Sequence, residues 1–197
     1  MNIKEGIEKR FSVRAFTNEV PDMDKIKEIL KLAGSAPSGG NIQPWKVYVL
    51  NEESKKKLAE KTLHNFDNGV QEEIEYEIYP KPLADEYKKR RYECGADMYN
   101  ALSIEKDDLD SRFKQIRENY NFFGAPLGMI ITIDRSFGNN GWGHVGMFLE
   151  NLWLSAIHHG LGLCLQESWS IYPKTVKEAT NHPDNEIVWC GVAIGYE

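Results

Sequence analysis

The clearest signal along the chain is the apolar run Leu127-Gly-Met-Ile-Ile-Thr-Ile-Asp134, the length of a strand and apolar enough to be buried on both faces. Glu186-Ile-Val-Trp-Cys-Gly-Val-Ala-Ile-Gly195 reads as the last strand, and shorter strands are expected at 45–50 and within 160–169. Helical periodicity fills the intervals. Ile3 and Ile7 mark a short helix over 2–9, while Ile26, Ile29, Leu30 and Ala33 form a stripe that Asp22 or Asp24 caps and Gly34 ends. Further helices are expected over 51–66, 83–101, 105–121, 142–159 and 173–180. The helix over 142–159 is apolar round most of its cylinder, which puts it at the centre of the core or at a seam with a second subunit. Strands interleave with a majority of helices, so the pattern predicts an α+β protein with one domain over 1–197. Residues 67–104 stand apart: rich in Glu, Lys and Tyr and broken at Pro80 and Pro82, they read as a helical excursion able to cover a site. The charge run Asp85-Glu-Tyr-Lys-Lys-Arg-Arg91 within it is what a solvated helix face carries.

Composition narrows the function. With 41% apolar and 27% charged residues the chain is globular, and a formal charge of −6 argues against a general nucleic-acid binder. No apolar run reaches the roughly 18 residues of a membrane span, and the N-terminus lacks a signal-peptide core, so a cytoplasmic location is expected. Cys94, Cys164 and Cys190 match no zinc or disulfide spacing and are expected to be buried free thiols. His158 and His159 are adjacent, so on a helix they diverge by about 100°, and no metal is expected.

Two stretches concentrate candidate chemistry. In Arg10-Phe-Ser-Val-Arg14, alternation in an extended segment sends Arg10, Ser12 and Arg14 to one side, where two guanidiniums and a hydroxyl suit a phosphate or another oxyanion, or else form a plain surface edge. Ser35-Ala-Pro-Ser-Gly-Gly-Asn-Ile-Gln-Pro-Trp45 links a helix to a strand with glycines that allow close backbone approach and with neutral donors and acceptors. That composition fits a turn as well as a ligand wall. A third polar loop, punctuated by glycine, lies at 160–168. The chain has no nucleophile elbow, Walker lysine or dinucleotide-binding glycine motif. The set left over suits a flat, phosphorylated heteroaromatic cofactor.

These residues resemble the FMN-dependent nitroreductase family. Arg10-x-Ser-x-Arg14-x-Phe16 followed by Ala36-Pro-Ser-Gly-Gly-Asn-Ile-Gln-Pro-Trp45 look like its paired N-terminal signatures, and the likeness continues through Phe123-Gly-Ala-Pro126, Gly160-Leu-Gly-Leu-Cys164 and Gly191-Val-Ala-Ile-Gly-Tyr196. The Cys164–Trp169 run is most similar to the nitrobenzoate-reductase-like branch. The resemblance implies a mixed or antiparallel sheet surrounded by helices, an intertwined homodimer, and FMN pockets at the subunit interface. It assigns Arg10, Ser12 and Arg14 to the FMN phosphate, ribityl chain and pyrimidine edge, and Pro37, Ser38, Gly39 and Asn41 of the other subunit to the ring. Gln166, Glu167 and Ser168 correspond to the segment beside flavin N5, with the member facing N5 left open among the three. The implied activity is ping-pong hydride transfer from NAD(P)H to nitroaromatics, quinones or similar small aromatic acceptors. A same-fold reductive dehalogenase, or a flavin-binding or sensing protein with little turnover, is the alternative. Two departures stand out. The chain ends at Glu197, before the basic tail with which members continue, so that phosphate contact is expected to be absent or replaced, and Leu165 stands where the branch usually has proline.

Overall fold

A computed structural model describes residues 2–197. Its elements run α1 (Ile3–Lys9), α2 (Met23–Ala33), β1 (Trp45–Leu50), α3 (Glu52–Asp67), α4 (Asp85–Ala101), α5 (Leu109–Arg117), β2 (Leu127–Asp134), α6 (Asn139–His158), β3 (Gly162–Gln166), α7 (Pro173–Thr180) and β4 (Glu186–Gly195). The α+β expectation holds, and the sheet is antiparallel throughout, ordered β1-β2-β4-β3. The helix expected over 105–121 is shorter. Residues 105–108 form a turn, Asp108 caps α5 by accepting the Ser111 amide at 3.0 Å, and the chain tightens into a 3-10 segment over Glu118–Gly124. Asp22 rather than Asp24 caps α2.

Both central strands are covered on two faces. Met129, Ile131 and Ile133 of β2, with Val192 and Ile194 of β4, face α2 and the buried side of α6. Ile130, Val188 and Ala193 face the other way, onto Leu58, Tyr120, Phe122 and Trp169. Strand alternation explains the partition, and near-complete burial explains why these strands are apolar at almost every position. A register shift falls where Ile131 pairs with Cys190 and Thr132 with Val188, which leaves Trp189 as the extra residue of a bulge.

That bulge anchors the excursion. The Trp189 carbonyl accepts a hydrogen bond of 2.5 Å from the Tyr76 hydroxyl, and the Tyr76 ring stacks on Trp189 with centroids 5.5 Å apart. Upstream, Glu72 accepts from the Lys174 and Thr175 amides at 2.6 and 3.2 Å, placing a carboxylate at the positive end of α7. Glu75 pairs with Arg135 at 2.7 Å. The base of the excursion is therefore tied down, while α4, 17 residues long, contains no buried residue.

The sheet's second face depends on a missing side chain. The Trp169 indole lies so close to Gly191 that a Cβ there would come within 2.0 Å of it. Phe122 stacks on the same indole, with centroids 4.5 Å apart. Gly191→Ala is expected to cost at least about 3 kcal/mol, at the upper end of overpacking penalties, measured as a lowered urea midpoint. A midpoint within experimental error of the parent would contradict this packing.

Candidate functional site

The arginine segment is held by the edge of β3. Ser12 bridges Leu163 in the parallel sense, and the Val13 amide donates to the Leu163 carbonyl at 3.1 Å. Val13 is buried against Gly162, where a Cβ would meet it at 2.7 Å. With Val13 turned inward, alternation sends Ser12 and Arg14 outward, as the sequence pattern predicts. The two guanidiniums then part rather than converge. Arg10 lies 4.5 Å over the Trp153 ring of α6, whereas Arg14 lies 5.9 Å from the Phe123 ring and donates to the Ser12 carbonyl at 3.4 Å. Neither arginine has a carboxylate partner among the described residues.

The loop before β1 is wound tightly. Gly40, Asn41 and Gln43 have left-handed φ values of 58°, 56° and 46°, which glycine adopts freely, asparagine tolerates and glutamine adopts only at a cost. Ser38 Oγ accepts from the Gln43 amide at 3.0 Å, and the Gln43 side chain donates to the Gly34 carbonyl at 3.4 Å. Pro37, Gly39 and Asn41 are exposed. The Gly39 amide donates to Nε2 of His144 on α6 at 3.2 Å. An accepting Nε2 leaves the ring proton on Nδ1, and that atom is buried without a partner.

Past β3 the three candidates separate. Gln166 is buried and committed: its Nε2 donates to the Asn119 carbonyl at 2.7 Å, and its Oε1 accepts from Trp169 Nε1 at 3.3 Å. Anything it offers a ligand must come from its backbone. Glu167 is exposed as a residue, yet crowding of its carboxyl raises its pKa above the usual range. Ser168 Oγ is buried without a partner.

Helix α6 divides these groups. His144 and Trp153 are nine residues apart, about 13 Å along the axis and roughly 180° around it. The Gly39 loop and Arg10 therefore rest on opposite faces of one helix. Sequence reasoning gave no role to His144 and Trp153, because aromatic positions on an apolar helix look the same whether they serve a core or a site, and it noted Phe123 only as part of a motif. The Phe-Phe-Gly-Ala-Pro stretch is more unusual than its letters suggest. Phe122, Phe123 and Gly124 are all left-handed (φ 50°, 51° and 76°), a conformation held at a cost of about 1–3 kcal/mol for each non-glycine residue.

The family model described as "Nitroreductase family" matches residues 7–196. The chain belongs to the nitroreductase family. It is 33% identical over 191 residues to a 4-nitrobenzoate reductase from Nocardioides sp. (strain LMS-CY), covering 95% of this chain and 77% of that one. It is 30% identical over 196 residues to a nitrobenzene nitroreductase from Ectopseudomonas oleovorans, covering 98% and 86%. Among solved structures it is similar to an FMN- and NADPH-dependent nitroreductase, NfnB, from sphigopyxis sp. strain HMH, at a TM-score of 0.95 and 34% identity over 100% of this chain and 88% of that one. The shared architecture is an antiparallel sheet flanked by helices. No helix among the described residues is long and apolar enough to cross a membrane, and no cluster of His, Cys, Asp or Glu there suits a metal.

The cysteines divide otherwise than their spacing suggests. Cys164 and Cys190 are buried, but Cys94 is exposed because α4 packs no face into the core. Desolvation pushes the Cys164 thiol up to about 11, with the Arg14 charge opposing it, and burial raises Cys190 further. A disulfide reagent at pH 8 is expected to titrate one thiol in the native protein and three after unfolding, and Cys94→Ser should abolish the native reaction. Rapid native labelling of two or three thiols would contradict this.

Proposed function

We propose that the chain is an FMN-dependent oxidoreductase that carries reducing equivalents from NAD(P)H to nitroaromatics, quinones or similar small acceptors. One observation carries the reading. A buried polar group without a partner costs about 1–3 kcal/mol, and three such groups lie in the three arms of the candidate site. They are Trp153 Nε1 in the indole that carries Arg10, His144 Nδ1 behind the Gly39 loop, and Ser168 Oγ past β3. Beside them stand two arginines without carboxylate partners. A ligand with a phosphate and several ring and hydroxyl oxygens fits that donor set, and FMN has this chemistry. The relatives' names, nitrobenzene nitroreductase and FMN- and NADPH-dependent nitroreductase, point the same way.

In this reading Arg10, Ser12 and Arg14 hold the phosphate, the ribityl chain and the pyrimidine edge. Pro37, Ser38, Gly39 and Asn41 come from a second protomer and pack on the ring. Ser168, with the backbone of Gln166 and Glu167, lines the ring's reactive edge. The half-sites on opposite faces of α6 are then completed across a homodimer. Exposed Ile3, Ile7 and Phe11 near α1, Ile42 in the loop and Met147 on α6 supply an apolar seam. The chain works as one unit, with the 67–104 excursion as the cover that shapes the acceptor space. When bound, FMN would supply the hydride chemistry that links NAD(P)H to the acceptor, in ping-pong order. The protein's share is to neutralise the phosphate, fix the ring and exclude water, so no side-chain general acid is required.

The test begins with the absorption spectrum of the purified protein. A flavin spectrum should bleach with NADH or NADPH under anaerobic conditions and return on adding 4-nitrobenzoate. A colourless preparation that FMN cannot reconstitute would overturn the reading. Arg10→Ala deletes a charge-assisted phosphate contact and should raise the FMN dissociation constant about tenfold or more; an unchanged constant would remove Arg10 from the site.

A further inference from the structure

Two cavities adjoin under the excursion. The first, about 430 Å³, is largely apolar, lined by Ile74, Tyr76 and Tyr79 and reaching Ser170 and Ile171, just past Ser168. The second, about 530 Å³, is lined by Tyr92, Tyr99, Lys106 and Arg112. Leu83 and Arg91 belong to both, so the two form one groove, apolar at the end near the candidate site and cationic at the far end.

The charges at the far end are unspent. On α4, Lys88 pairs with Asp85 at 2.9 Å, Lys89 with Glu93 at 3.8 Å and Arg90 with Glu86 at 3.3 Å. Arg91, the next residue, has no carboxylate partner among the described residues and lies 4.3 Å over the Tyr79 ring. Lys106, likewise unpaired, sits 5.9 Å from the Tyr92 ring. Arg112 lies 4.2 Å over Tyr99 with its Nε bound to the Glu105 carbonyl at 3.1 Å, leaving both terminal nitrogens open. Glu105 is the one carboxylate in the lining. In a chain of formal charge −6, three unpaired cations beside tyrosines in one cavity run against the background.

We propose that this cationic cavity binds the 2′-phosphoadenosine half of NADPH, and so makes the protein prefer NADPH to NADH. The proposal rests on the FMN oxidoreductase reading above. A phosphate monoester is a dianion that guanidinium and ammonium groups bind with charge-assisted hydrogen bonds. Adenine is flat and stacks on tyrosine and arginine faces. The cavity volume falls within the usual range for ligand sites. The apolar half of the groove then leads the nicotinamide end towards the Glu167–Ile171 turn. Arg91, at the junction, faces the pyrophosphate.

Calorimetric titration of the FMN-loaded protein with 2′,5′-ADP and with 5′-ADP tests this. The first should bind at least about tenfold more tightly, the worth of one charge-assisted contact. Lys106→Met and Arg112→Gln should each shrink that preference and move the NADPH-to-NADH selectivity of flavin reduction towards one. Two variants are used because Arg112 also holds the Glu105 turn, and the FMN content of each reports an intact fold. Equal binding of the two nucleotides, or unchanged selectivity in both variants, overturns the proposal. So does displacement by 4-nitrobenzoate in preference to 2′,5′-ADP, which would give the cavity to the acceptor. A protein that takes up no FMN defeats the underlying reading instead, and nucleotide discrimination remains measurable on it.

Discussion

Packing of Trp169 on the bare α-carbon of Gly191 is the contact from which much of the site follows. It keeps the 3-10 turn Glu167–Ile171 against β4, and with it Ser168. The indole nitrogen engages Gln166, whose amide reaches back to Asn119. Phe122 stacks on the indole, and the left-handed run that brings it there delivers Phe123 to Arg14. A close contact at the centre of the sheet thus sets the position of a guanidinium at its edge. Cores transmit displacement in this way because they are packed to the density of organic crystals.

Helix α6 acts on a larger scale. Its buried side closes one core, Trp45 stacks on Phe148 to seat the loop's exit, and its His144 and Trp153 meet the Gly39 loop and Arg10. The same helix exposes Gly143, Gly146 and Met147, a strip on which a second backbone can approach closely. Burial accounts for the apolar positions on one side of the cylinder, and the homodimer proposed above would cover the other.

Much of this was legible in the sequence because strand burial and helix stripes leave periodic marks. The β2 run, the α2 stripe and the inward turn of Val13 between Ser12 and Arg14 all correspond to what the structure contains. Other features leave no such mark. The parting of Arg10 and Arg14 depends on where Trp153 and Phe123 stand, which is a tertiary fact. The engagement of Gln166 depends on a carbonyl 47 positions away. Cys94 looked like its two buried counterparts because a lone cysteine carries no sign of which helix face will be covered.

The excursion's two ends differ in how tightly they are held, and that has an evolutionary consequence. Glu72, Glu75 and Tyr76 fasten its root through α7, Arg135 and Trp189, whereas α4 buries nothing. Surface substitutions away from special contacts usually change stability by less than about 0.5 kcal/mol. Residues over 83–101 can therefore drift without imperilling the fold, while changes at 72–76 would unfasten the whole segment. Under the function proposed above, selection for a new acceptor would have a region in which to explore shape and charge at little thermodynamic risk.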